Sequence, residues 1–141
     1  MCSSDLQAAA QRWRKTGRGG SLVNIVVSPR GLHGVSHTNA ARAGVMAFSE
    51  AAAIEWAEFG IRVNCILPGL IATPMAVDTR ARTWKLSREQ VLAERIAKIP
   101  LGCQGSAWDV ANAALFLASS EAGFITGIAM TIDGGRILNR I

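Results

Sequence analysis

Two short stretches, SLVNIVV at 21–27 and IRVNCIL at 61–67, limit what this chain can become. Both are rich in β-branched residues and apolar at nearly every position rather than at alternate ones. A strand with one wet face alternates, whereas a strand apolar throughout is covered on both faces, the habit of parallel sheets. Residues 28–36, with Pro29, Gly31 and Gly34, read as a loop. A long helix is expected from about residue 37 to 59, Ala-rich enough for close helix approach and stopped by a left-handed Gly60. Strand, helix, strand is the grammar of a parallel crossover.

The remaining segments extend that grammar. DLQAAAQRWRKTGRGG resembles the tail of a helix, Ala-rich with cations before a glycine stop. Pro68-Gly69 ends the second strand and opens a long connection toward Ser87. Residues 88–98 form an amphipathic helix with Val91, Leu92, Ile96 and Ile99 near one face. A further helix spans 109–118, in which Asp109 is an ordinary early-helix charge, and GIAMTID at 127–133 is a last strand closed by Gly134-Gly135. The expectation is an α/β sheet with helices on both faces. Three strands are few for such a sheet, so a neighbouring part is expected before Gly19.

Charge and cysteine usage narrow the partners. The net charge of +5 is spread out apart from Arg12, Arg14, Lys15 and Arg18, which suit a solvated helix C-terminus. No nucleic-acid reading motif accompanies it, so no nucleic-acid partner is expected. Cys2, Cys65 and Cys103 lack CxxC or metal-ligand spacing, which points to idle thiols in a reducing compartment and to no metal. No signal-peptide core opens the chain and no apolar run reaches roughly 18 residues, so the expectation is a cytoplasmic protein without a membrane partner.

Several segments in order, GGSLVNIVV, NAARAGVMAFSEAAAIEWAEFGIRVNCILPGLIATPM and IPLGCQGSAWDVANAALFLASSEAGFITGIAMTIDGG, resemble the C-terminal half of a short-chain dehydrogenase/reductase over about residues 19–138. The resemblance implies the second half of a Rossmann-type three-layer αβα fold, with 21–27, 61–67 and 128–132 as the family's fifth to seventh strands. Residues 19–141 would be that half-domain, and 1–18 the end of a preceding helix or a non-native start. The family's Gly-rich phosphate loop has no counterpart here. NAD(P)(H) is therefore the implied cofactor of a longer protein, with weak or absent binding by this chain.

The same resemblance assigns the site. PGLIAT at 68–73 matches the family's Pro-Gly-x-x-x-Thr turn, which makes Pro68, Gly69, Ile71 and Thr73 cofactor-binding: glycine admits close approach, backbone near Ile71 holds the carboxamide, and the Thr73 hydroxyl bonds a cofactor oxygen. On the residues alone, Thr73 is equally a helix N-cap before Pro74. SHTNAARAGV at 36–45 occupies the family's catalytic stretch, but the tyrosine slot is Thr38, the lysine slot is Arg42, and the chain contains no tyrosine. Arg42 can still hold ribose hydroxyls, although its fixed charge and fork geometry differ from those of lysine. The serine slot falls near Val27 and Ser28, and His37 is the remaining proton carrier beside the site, with His33 in the loop. Trp84, in the long connection, is the one tryptophan read as a substrate platform; Trp13, Trp56 and Trp108 are read as packing.

AARAG with arginine also resembles the branch containing peroxisomal trans-2-enoyl-CoA reductases, where a tyrosine four residues after the arginine is one substitute donor; that position is Met46 here. Three readings stay open. One is an enoyl-CoA reductase-like oxidoreductase acting on a small carbonyl, alcohol or enoyl substrate. The second is a silent module for homo-oligomerisation through the helix at 37–59, and the third is a truncated product.

Overall fold

The computed structural model describes residues 3–27 and 36–138. Three strands, β1 (Gly20–Ile25), β2 (Ile61–Pro68) and β3 (Ala129–Ile132), form one parallel sheet in the order β1-β2-β3. The register pairs Gly20 with Ile61 and Cys65 with Ala129, so the three carboxyl ends rise together. Helices α1 (Ser3–Thr16), α2 (Ser36–Glu55), α3 (Pro74–Trp84), α4 (Arg88–Ile96) and α5 (Ala107–Ala118) surround it.

The nearly continuous apolar character of β2 has the physical cause expected. Ile61 and Val63 pack with Ala10 of α1 and Ala52 and Ala53 of α2, and Cys65 and Leu67 continue the same face against Val45 and Met46. Ile66 points the other way, onto Leu117 of α5 and Ala122. Period-two alternation thus gives two cores on opposite faces of one strand. In β1, Leu22 joins the first core and Val23 the second. The small side chains of α2, Ala52 and Ala53, let that helix lie close on the sheet.

Polar side chains fasten the strands from below. Asn64, fully buried, donates from Nδ2 to the Ile125 carbonyl and accepts the Ile128 N–H at Oδ1. Arg62 donates to the carbonyls of Leu117 and Ser119 at the end of α5, a cation at a helix C-terminus.

Several boundaries differ from the sequence reading. The helix expected to run to residue 59 stops at Glu55; Trp56 leaves helical geometry (φ −104°, ψ 0°), a tight turn Ala57–Phe59 follows, and Gly60 closes it at φ 68°. The edge of Trp56 lies against Phe48, ring centroids 6.2 Å apart, which anchors that break. The connection expected between Gly69 and Ser87 contains α3, capped by Thr73 and ended by a left-handed Lys85. The last strand is shorter than expected, and the helix read from 109 begins at Ala107 because Ser106 and Asp109 form a capping box. Trp108, read as packing, is 75% exposed. It lies two residues from the inward Val110, about 200° around the helix. Trp13 and Trp56 do pack on the core. Of the loop read at 28–36, residues 28–35, with Ser28 and His33, lie outside the described residues, as does Cys2, whereas Ser36 already begins α2. No helix among the described residues is long and apolar enough to cross a membrane.

Candidate functional site

Parallel α/β sheets present their ligand clefts at the carboxyl ends of the strands. Here a hollow of about 370 Å³ opens at that end, walled by Val27 beyond β1, Leu67 and Pro68 of β2, and Thr131 and Asp133 at the end of β3. Gly69, Ile71 and Thr73 line it as well, so four of the residues singled out in the sequence meet in one wall. A second hollow, of about 360 Å³, lies between α2 and the end of β1 and is lined by Thr38, Ala41, Arg42 and Val45 with Asn24 to Val27. Val27 belongs to both hollows, so they adjoin there.

The 69–73 loop is pinned from several sides. Gly69 donates its N–H to the Ile132 carbonyl at 2.9 Å, tying the turn to β3. A Cβ at Gly69 would stand 2.4 Å from Asp133 Cβ, so only glycine fits this approach of two strand ends. Gln104 donates to the Leu70 carbonyl, Ala72 N–H donates to the Gly105 carbonyl, and Ile71 bridges Gly105. Arg95 donates from Nη2 to the Ile71 carbonyl at 2.9 Å. The Ile71 carbonyl also accepts from Thr73 N–H at 3.0 Å, while the Ile71 N–H turns back on the Gly69 carbonyl. Thr73 is the N-cap of α3: its Oγ1 accepts from Ala76 N–H at 3.2 Å, with Pro74 following in the first helical turn. The hydroxyl proton remains free to donate, so capping and ligand binding are compatible at this residue.

Thr38 and Arg42 sit one turn apart on α2 and share the second hollow. Arg42 Nη1 is buried and has no hydrogen-bond partner among the described residues. An orphaned guanidinium N–H at the open edge of β1 suits an acceptor brought by a ligand, such as a ribose hydroxyl. Asn24, in the same wall, donates to Ser49 Oγ at 2.9 Å and leaves its own Oδ1 without a partner among the described residues. His37 is exposed on the first turn of α2 and lies outside both hollows. Trp84 is half-exposed, with the Arg80 guanidinium 5.4 Å above its ring. The Cys65 thiol is pushed up by burial, and Cys103 is exposed; neither is paired.

Among the residues of the first hollow that escaped the sequence reading are three arginines, Arg80, Arg95 and Arg136. Arg95 is only 4% exposed, and its Nε has no hydrogen-bond partner among the described residues. The signal was its spacing. Arg95 falls four residues after the buried Val91, on the apolar side of α4, where a cation is out of place.

A sequence profile for the family described as Enoyl-(Acyl carrier protein) reductase matches residues 3–136. A (3R)-3-hydroxyacyl-CoA dehydrogenase of Canis lupus familiaris is 41% identical over 131 residues, which are 92% of this chain and 48% of that protein. A 3-oxoacyl-(acyl-carrier-protein) reductase of Chlamydia muridarum is 40% identical over 120 residues, covering 84% of this chain and 45% of that protein. The chain thus spans about half the length of the curated relatives it matches. Among solved structures, a short chain dehydrogenase from Bacillus anthracis superposes with a TM-score of 0.77 at 35% identity, over 96% of this chain and 50% of that one. ElxO with NADP bound superposes with a TM-score of 0.80 at 26% identity, over 95% and 52%.

Proposed function

This chain belongs to the short-chain dehydrogenase/reductase family of oxidoreductases, and from that premise we propose that it forms the nicotinamide-side half of an NAD(P)(H)-dependent enzyme acting on a small carbonyl, alcohol or enoyl-thioester substrate. The observation that carries the reading is the pair of adjoining hollows at the carboxyl end of the sheet, one walled by the Pro68–Thr73 turn and the other holding the orphaned Arg42 Nη1. The relatives named for 3-hydroxyacyl-CoA and 3-oxoacyl carrier-protein chemistry favour an acyl thioester as substrate.

A bound nicotinamide supplies or accepts the hydride. The residues of this chain hold and orient. The Thr73 hydroxyl donates to a cofactor oxygen while its lone pair caps α3. Arg42 would hold ribose hydroxyls with its orphaned Nη1. Thr38, one turn away, orients the substrate oxygen but is too weakly acidic to protonate it, and no tyrosine is present to do so. His37, which lies outside both hollows, and Ser28, outside the described residues, are the sequence candidates for the substrate-side proton. The long helix α2, whose Ile54 is 81% exposed, serves self-association in the same reading.

The test joins this chain to the N-terminal half of the 3-hydroxyacyl-CoA dehydrogenase relative and follows NADH and NADPH binding by calorimetry. The joined protein binds dinucleotide, and the 141-residue chain alone does not bind at micromolar concentrations. A joined, folded protein without dinucleotide affinity overturns the reading. Micromolar affinity in the chain alone overturns the division of labour between the halves.

A further inference from the structure

Arg95 poses a physical problem that the cofactor reading leaves unsolved. Its guanidinium keeps its charge at any relevant pH and is nearly wholly buried, yet it donates to a neutral carbonyl, that of Ile71, at 2.9 Å. Its Nε has no partner among the described residues. A buried charge without a counter-ion is strongly unfavourable. Around it stand two more cations: Arg80 of α3 and Arg136, just beyond β3, line the same hollow. Burial, and then the charges of Arg80 and Arg136, hold the Arg95 pKa below the usual arginine range.

One carboxylate, Asp133, shares the hollow, but its oxygens are engaged in its own turn. Oδ1 accepts from Gly135 N–H at 2.9 Å and Oδ2 from Ile137 N–H at 2.7 Å. The one ion pair among the described residues, Arg88 with Asp78, does not involve these arginines. Three guanidiniums facing one committed carboxylate leave the hollow positive. Val27, Leu67, Met75 and Ile137 give the wall apolar surface, beside the hydroxyls of Thr73 and Thr131. The space, about 370 Å³, is at the small end of ligand pockets.

We propose that this hollow is an oxyanion subsite, in which Arg95, Arg80 and Arg136 take the carboxylate or phosphate of a short aliphatic substrate. The assignment of that anion to the substrate rests on the oxidoreductase reading above, in its small carbonyl or alcohol form rather than its thioester form; the binding of the anion does not. The planar fork of Arg95 suits two acceptor oxygens on one carbon or phosphorus, and the two outer arginines add charge in the same hollow. An uncharged ester of the same shape lacks the group these side chains recognise.

The experiment uses the 141-residue chain without cofactor. Backbone amide resonances of the 69–73 loop and of Ile137 are followed while inorganic phosphate, acetoacetate, methyl acetoacetate and NADPH are added separately at constant ionic strength. Phosphate, acetoacetate or both shift these amides saturably, and methyl acetoacetate does not. Arg136→Ala and Arg80→Ala each weaken the anion about tenfold, the loss of one charge-assisted hydrogen bond. Arg95→Gln abolishes binding, and because that variant can also disturb the loop, the two outer variants decide the matter if it does not fold. The proposal falls if neither small anion gives saturable shifts, or if Arg80→Ala and Arg136→Ala bind as the parent does. NADPH shifts confined to the 69–73 loop are those the cofactor reading expects; the proposal falls equally if NADPH added afterwards displaces the small anion at Ile137, which assigns the hollow to the cofactor's phosphates. Failure of the joined protein to bind dinucleotide, with anion binding intact, would sink the cofactor reading and leave the oxyanion site standing.

Discussion

Alanine at Gly69 should destabilise the chain by about 2–4 kcal/mol, and alanine at Gly44 should stabilise it. Gly69 is not in the left-handed region, so alanine faces no conformational bar there. The obstacle is steric. The new Cβ would lie 2.4 Å from Asp133 Cβ and 2.8 Å from Asp133 Cα, where ordinary contact is 3.4–4 Å. Both clashing atoms belong to the start of a fixed turn, so no flexible tip can swing aside; β2 and the end of β3 must part by about 1 Å. Overpacking of this kind costs about 1–3 kcal/mol. The parting also strains the Gly69 N–H to Ile132 carbonyl bond, worth about 1 kcal/mol. Gly44, by contrast, lies inside α2 with nothing within 4 Å of its missing Cβ. Alanine there restricts the unfolded chain and favours helix, a gain of about 0.5–1 kcal/mol. Urea titrations followed by far-UV circular dichroism give both values from the midpoint at a common slope. The reasoning is refuted if Gly69→Ala lies within about 0.5 kcal/mol of the parent, or if both substitutions change stability in the same direction.

The chain alone should associate, because β1 is an edge of the described sheet and Ile25 and Val27 beside it are 55% and 42% exposed; sedimentation showing one compact monomer at tens of micromolar would contradict this. In the joined protein, Arg42→Ala should weaken cofactor binding, whereas Thr38→Ala should change turnover little, costing at most an orienting hydrogen bond of about 1 kcal/mol. A thousandfold loss of turnover in Thr38→Ala at unchanged cofactor affinity would place the threonine in the chemistry. Ser106→Ala should cost about 1 kcal/mol by uncapping α5, read as a lowered urea midpoint. Asp109 is held below the usual carboxylate range by the backbone N–H and the hydroxyl of Ser106. Since its folded value is the lower one, its contribution is complete above the ordinary aspartate range and fades as pH falls through the lowered value. Asp109→Asn should therefore flatten that part of the midpoint-against-pH curve; an unchanged acid slope would count against the capping box.

The sequence by itself determined the layers. SLVNIVV and IRVNCIL, apolar at nearly every step, required cover on both faces, and β2 has α1 and α2 on one side and α5 on the other. Gly60, left-handed at φ 68°, and the cations at the end of α1 sit where their chemistry puts them. Such signals are local, because a backbone angle, a helix dipole or a period of two acts within a few residues. Beyond the cap at Thr73, the body of α3 left no comparable signal, since its polar surface contributes one buried residue, Val77. The end of α2 at Glu55 depends on where Trp56 packs, which no pattern within the helix specifies. The site is split the same way. Pro68, Gly69 and Thr73 announce a turn and a cap, but their joining with Val27 and Asp133 into one wall follows from the register of three strands. Arg95 reads in sequence as one more charge on a short polar helix. Only the packing of α4 under the 69–73 loop buries it beside Arg80 and Arg136, because periodicity tells which face of a helix is covered and not which charges will meet beneath it.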